Sequence, residues 1–83
     1  MAAFEELRDL ENRIEAGERM RADHHEAQVL AGGVIERAVL LTGSEEKARK
    51  LAPDAFEQFE LRGKRIAEID GILEGLRQKR DAI

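Results

Sequence analysis

The chain has 83 residues and a net charge of −4, with 42% hydrophobic and 39% charged residues. This length allows one domain, spanning residues 1–83, and a core of this size alone is marginal because so short a chain buries only about 60% of its unfolded surface. The absence of cysteine excludes disulfides as a remedy and fits a reducing compartment. Helix packing or oligomerisation is then the expected source of stability.

Periodic hydrophobic residues argue against disorder, and the acidic balance argues against a nucleic-acid binder. The first residues are acidic and do not form a basic region followed by an apolar run, so no signal peptide is predicted. The most apolar stretch, 27–41, is too short to span a bilayer and is interrupted by charges. We therefore expect a cytoplasmic protein.

Helical patterns fill the chain in two arms, about 3–42 and 44–82, and no strand pattern is present. The arms meet at a turn in which Gly43 suits the left-handed conformation and Ser44 suits the cap of the following helix. Pro53 predicts a kink in the second arm. Asp54 and Glu57 after it are spaced as a capping box, with the aspartate as N-cap. Whether Gly32-Gly33 breaks the first helix is left open.

Apolar residues follow each arm at spacings of three and four, which predicts an antiparallel helical hairpin of coiled-coil type. On the first arm the predicted seam is Leu7, Leu10, Ile14, Gly17, Met20, His24, Ala27, Ala31, Val34, Ala38 and Leu41. On the second arm it is Phe59, Arg62, Ile66, Ile69, Leu73, Leu76, Arg80 and Ile83. Folding the chain back about Gly43 pairs Phe59 with Ala27, Ile69 with Gly17 and Leu73 with Ile14. A three-helix arrangement with 44–52 as a separate helix is the structural alternative.

Several residues off the seam predict an interaction surface. The apolar ones, which need a cover, are Leu30, Ile35, Val39, Leu40 and Ile72. A row of small residues at four-residue spacing, suited to the close approach of another helix, is Gly63, Ala67, Gly71 and Gly75. Dimerisation into a four-helix bundle is the simplest cover, and a partner protein is the other. A merely tolerant surface explains the glycines equally well.

His24 and His25 are the first residues to consider for chemistry. No second histidine or carboxylate lies three or four residues from either, so a metal site on one helix is excluded and no cofactor is predicted. His24 is instead expected to face Arg62 across the seam as a polar layer that fixes the register.

Catalysis has no support in the sequence, and an enzyme is not predicted. The hydroxyl side chains are Thr42 and Ser44, both in the turn, and no glycine-rich phosphate loop follows a strand. The basic clusters, Arg62/Lys64/Arg65 and Arg77/Lys79/Arg80, lack interleaved aromatic residues for base stacking. A solvated face is the preferred interpretation of both clusters.

Two local resemblances to families are present. Residues 4–17, Phe-Glu-Glu-Leu-Arg-Asp-Leu-Glu through Ile-Glu-Ala-Gly, resemble the opening of the exonuclease VII small subunit, which implies a short helical hairpin with a helical partner. The family's Leu-Pro-Leu-Glu step after this glycine is missing here. Residues 41–56 look like a helical turn of region 2 of sigma factors, but Pro53 stands where that family usually has Gln. Neither resemblance assigns a family.

The function predicted from these features is a small non-enzymatic helical interaction module: an adaptor, an accessory subunit or a phage-type inhibitor. It would act by helix packing on itself, most simply as a dimer, and on a partner protein. One alternative is an oligomer that binds a small anionic ligand such as a nucleotide near His24 and His25 at a bundle interface. The other is a nucleic-acid-associated regulator that uses the basic clusters.

Overall fold

The computed structural model describes residues 2–83, which form three helices and no strand. Helix α1 spans Ala2–Thr42, α2 spans Glu45–Leu51, and α3 spans Pro53–Asp81. Helix α1 packs against α3 in a hairpin of about 61 × 15 × 14 Å, and α2 packs on α1 next to the turn. The all-helical hairpin is confirmed. The second arm, however, consists of two helices and is not one helix with a kink.

The turn between α1 and α2 has the predicted chemistry. Gly43 has a φ of +80°, which a residue with a side chain adopts at a steric cost, and its N–H donates to the carbonyl oxygen of Val39 at 2.8 Å. The Ser44 hydroxyl oxygen accepts a hydrogen bond from the backbone N–H of Lys47 at 3.2 Å, so Ser44 is the N-cap of α2. These contacts terminate α1 and start α2 within two residues.

The predicted capping box after Pro53 is wrong. Pro53 is itself in the first turn of α3, Ala52 is the cap residue, and no side chain caps the helix. Proline suits the first helical position because its φ is already helical and its missing N–H would have no partner there. Asp54 therefore lies one residue inside the helix, where its charge still favours the positive end of the helix dipole.

The core lies along the α1–α3 seam and has two centres. Near the open end of the hairpin, Ile14 packs with Ile69 and Leu73, and Leu73 is only 1% exposed. Near the turn, Ala38, Ala48 and Phe56 form the second centre. Phe56 was not assigned to the seam from the sequence. It is buried because α2 folds back over it.

The α3 half of the predicted seam agrees with the structure at most positions, whereas the α1 half slips by one residue at alternate contacts. Met20, Val34 and Leu41 are exposed, and the next residue in each case, Arg21, Ile35 or Thr42, is the one that is half-buried. The seam keeps the seven-residue repeat of a supercoiled pair through polar residues as well as apolar ones. At Met20 and Leu41, choosing the more hydrophobic neighbour therefore gave the wrong position, whereas Val34 and Ile35 are both apolar and hydrophobicity does not distinguish them.

Glycine positions refine the register. A Cβ on Gly17 would lie 2.7 Å from Cδ2 of Leu73, and a Cβ on Gly32 would lie 3.4 Å from the Phe59 ring. Leu73 therefore packs beside Gly17 in place of the predicted Ile69, and Phe59 packs beside Gly32 in place of the predicted Ala27. Each observed partner lies about one helical turn from the predicted one. Helix α1 is continuous through Gly32-Gly33.

Candidate interaction surface

Helix α2 covers one side of the hairpin only. It lies over Ile35 and Val39, which pack against the cluster of Ala38, Ala48 and Phe56. The guanidinium of Arg49 stacks on the Phe56 ring, 4.5 Å from its centroid. Ile35 and Val39 were expected to need a cover from another chain, and in the structure α2 supplies part of that cover from within.

The side that carries α2 continues as a polar flank toward the open end. We use this name for the face with Glu18, Val29 and Gly32 on α1 and with Asp70 and Arg77 on α3. Arg77 pairs with Glu18 at 3.0 Å, and Arg21 reaches from the seam to Asp70 at 2.5 Å. The hydrogen bond to Asp70 and the attraction of its charge raise the pKa of Arg21 above the ordinary value. Ion pairs between the helices therefore cross this flank.

The opposite side of the hairpin is an apolar flank, with two shallow grooves along the seam. Residues seven apart lie on one stripe of a supercoiled helix, so both grooves face the same way. The groove toward the open end is lined by Arg13, Ala16, Gly17, Met20, Ile69, Ile72, Leu73 and Leu76. The groove toward the turn is lined by Ala27, Leu30, Ala31, Val34, Asp54, Ala55 and Gln58. Leu30 is 68% exposed and Ile72 is 63% exposed.

Two opposite charges lie between these grooves at the middle of the apolar flank. Asp23 is seven residues from Ala16 and from Leu30, so it belongs to their stripe on α1. Arg65 stands in the same relation to Gln58 and Ile72 on α3. Arg65 also pairs with Glu68 on its own helix at 3.1 Å. The apolar flank therefore consists of two apolar halves separated by one acidic and one basic residue.

The seam itself contains a polar contact beneath these charges. Nη1 of Arg62 lies 2.8 Å from Nδ1 of His24. Because arginine is a permanent donor, Nδ1 of His24 is the acceptor and the ring carries its proton on Nε2. His25 is exposed and does not share this contact. The arrangement links α1 to α3 and leaves His24 without a free Nδ1 for a ligand.

The structure separates the predicted interaction residues into distinct surfaces. Leu30 and Ile72 lie on the apolar flank, and Leu40 is exposed beside the turn. Gly63 faces α1, since a Cβ there would lie 3.0 Å from the amide nitrogen of Gln28. The exposed row that remains is Ala67, Gly71 and Gly75, and a Cβ on either glycine would meet nothing within 4 Å. The row is thus not one continuous docking strip.

No group of three or more histidine, cysteine, aspartate or glutamate side chains within residues 2–83 is placed to hold a metal ion. No helix in this range is long and apolar enough to cross a membrane. Comparisons with protein-family models, with curated proteins and with solved structures find no match to this chain.

Proposed function

We propose that this protein is a small non-enzymatic, cytoplasmic interaction module whose apolar flank packs on the helices of another chain. Adaptor, accessory subunit and phage-type inhibitor are the roles that such a module fills. The observation that carries the proposal is the exposure of Leu30 and Ile72 on the flank that α2 leaves open. Exposed apolar side chains grouped on one face are typical of a protein–protein interaction site.

The shape of the chain supports the same proposal. Its accessible surface is 6309 Å², whereas a compact monomer of 9.4 kDa exposes about 5,000 Å². Its radius of gyration is 18.2 Å, against about 12 Å for a compact domain of this length. A hairpin one helix pair thick cannot bury both of its flanks. Packing of another chain on the apolar flank removes the excess surface.

The alternative functions receive less support from the contacts. A small anionic ligand near His24 would compete with Arg62 for Nδ1. A nucleic acid would compete with Glu18 for Arg77 and with Glu68 for Arg65. Each basic group would exchange an existing partner for a new one. The exposed apolar side chains of the flank, such as Leu30 and Ile72, need no such exchange.

Two adjacent residues offer a matched test. Leu30 lies on the apolar flank and Val29 on the polar flank, at similar angles from the seam, and both are exposed. Leu30→Glu places a charge where the proposal puts another helix, and Val29→Glu places the same charge where it puts solvent. Neither change disturbs the seam, so helicity by circular dichroism should match wild type for both variants.

Two measurements check this. Sedimentation of the free protein reports its association with itself, and capture of helical partner proteins on the immobilised protein reports binding to another chain. We expect wild type and Val29→Glu to form complexes larger than the single chain and Leu30→Glu to lose them. Complexes that survive Leu30→Glu would contradict the proposed surface. A wild-type chain that stays monomeric and retains no partner would contradict the proposed function.

A further inference from the structure

We infer that the occupant of the apolar flank is a second copy of this chain, related by a two-fold axis along the length of the hairpin. This inference rests on the proposed function and adds the identity and orientation of the partner. The two turns then lie at the same end, and α1 of each copy packs on α3 of the other. Neighbouring helices are antiparallel throughout, as in four-helix bundles.

The charges at the middle of the flank favour this orientation. Asp23 and Arg65 lie within about one helical turn of the same level of the hairpin, since His24, next to Asp23, is joined across the seam to Arg62, three residues before Arg65. With the axis along the hairpin, Asp23 of each copy faces the partner's Arg65. An axis across the hairpin instead places Asp23 opposite the same residue of the partner, and Arg65 likewise. Like charges opposed at an interface are destabilising, so the lengthwise axis is favoured.

Under this symmetry the residues around the central charges form one apolar contact and one contact between an apolar and a polar side chain. Residues seven before and seven after the central charges meet in the same way, so Ala16 faces the partner's Ile72 and Leu30 faces the partner's Gln58. A two-fold axis repeats each contact, which makes the interface self-complementary. The small side chain of Ala16 accommodates the large one of Ile72. Exposed Gly75 on the neighbouring row of α3 leaves room for the facing helix.

The area of the flank is sufficient for a dimer. The two grooves extend from Arg13 to Val34 on α1, a helical length of about 32 Å. Two packed helices are about 20 Å wide, so each copy contributes roughly 640 Å². The total of about 1,300 Å² lies at the lower end of specific protein–protein interfaces, which begin near 1,200 Å². A dimer of modest affinity is expected.

Disulfide cross-linking tests the orientation directly, because the chain contains no cysteine of its own. Leu30→Cys and Gln58→Cys chains, mixed under oxidation, should give a covalent heterodimer, whereas Leu30→Cys mixed with Ala16→Cys should not. The second mixture reports the crosswise axis, in which Leu30 faces the partner's Ala16. These variants keep Asp23 and Arg65 intact. Cross-linking of the second mixture in place of the first would overturn the inference.

A charge exchange gives an independent readout in the same dimer. Asp23→Arg should weaken dimerisation by roughly tenfold to a hundredfold, because two attractive pairs become repulsive. Adding Arg65→Asp to the same chain should restore the affinity, and failure to restore it would contradict the pairing. A wild-type chain that is monomeric yet retains another protein through Leu30 would overturn the second copy as occupant and leave the proposed function standing. A monomer that retains nothing would overturn both.

Discussion

The polar and the apolar flank both run along the same α1–α3 seam. They differ in how much of their apolar surface is covered by the chain itself. On the polar flank, α2 covers Ile35 and Val39, and ion pairs such as Glu18–Arg77 join the helices further along. On the apolar flank, Leu30 and Ile72 have no comparable cover and are exposed. The chain therefore covers part of its apolar surface from within on the side of α2, where a groove beside Phe56 and Phe59 stays open. By our proposal, another chain covers the apolar flank.

The position of the short helix α2 produces this difference. The turn at Gly43 and the break at Ala52 direct seven residues, Glu45–Leu51, to one side of the hairpin. Ala48 is fully buried there, and its small side chain lets α2 approach α1 closely. The two breaks thus determine which side of the hairpin α2 covers.

The largest expected effect is a difference in the free energy of unfolding between changes at two consecutive residues, Leu73 in the seam and Ile72 on the apolar flank. Leu73 is 1% exposed, so Leu73→Ala removes core contacts and should lower the free energy of unfolding by about 2–5 kcal/mol. Ile72→Ala should leave the unfolding of the dilute monomer within about 0.5 kcal/mol of wild type. Urea denaturation at low protein concentration checks both variants. Equal losses would show that the flank is part of the folding core and would contradict the distinction between the flank and the seam.

A smaller effect is expected at two glycines in opposite environments. Gly17→Ala places a Cβ 2.7 Å from Cδ2 of Leu73 in the seam, whereas Gly71→Ala meets nothing. Alanine favours the helix by about 1 kcal/mol at either site, but overpacking in the seam costs about 1–3 kcal/mol. Gly71→Ala should therefore stabilise the fold, and Gly17→Ala should not. Thermal melts that place Gly17→Ala above Gly71→Ala would contradict the packing described for Leu73.

The smallest expected effect concerns the polar contact in the seam. Replacing His24 and Arg62 together by leucine should raise the free energy of unfolding by about 1 kcal/mol, because two polar groups no longer lose solvation there. The same change should loosen the register and broaden the distribution of oligomers, since an apolar layer tolerates more alignments. Calorimetry and sedimentation of the double variant check the two parts. A lower melting temperature with an unchanged oligomer mass would contradict this role.

The sequence predicted the hairpin, the turn at Gly43 and the cap at Ser44 because local chemistry decides each of them. It predicted the α3 seam because apolar residues and the seven-residue repeat coincide at Ile69 and Leu73. On α1 the two signals diverge: Arg21 occupies a seam position, and the adjacent Met20 does not. Long polar side chains fit at a seam when their charged ends reach a partner, as Arg21 reaches Asp70. Hydrophobicity alone cannot anticipate such a partner.

The exposed apolar positions were predicted only in part, because tertiary packing decides which of them are covered. Leu30 and Ile72 were identified as needing cover, and they lie on the open flank. Ile35 and Val39 look equivalent in sequence, but α2 covers them once Ala52 breaks the second arm. Which side a short helix covers depends on the direction in which the chain leaves the turn. The residue pattern of α1 contains no information about that direction.

The mass of the wild-type chain in solution tests the central claim most directly. Sedimentation equilibrium over a range of concentrations should show a species of twice the 9.4 kDa chain mass that dissociates on dilution. Leu30→Glu should remain at the single-chain mass at concentrations where Val29→Glu still dimerises. A wild-type mass that stays at that of one chain over the whole range, with helicity intact, would contradict the account of the apolar flank as a surface completed by a second copy.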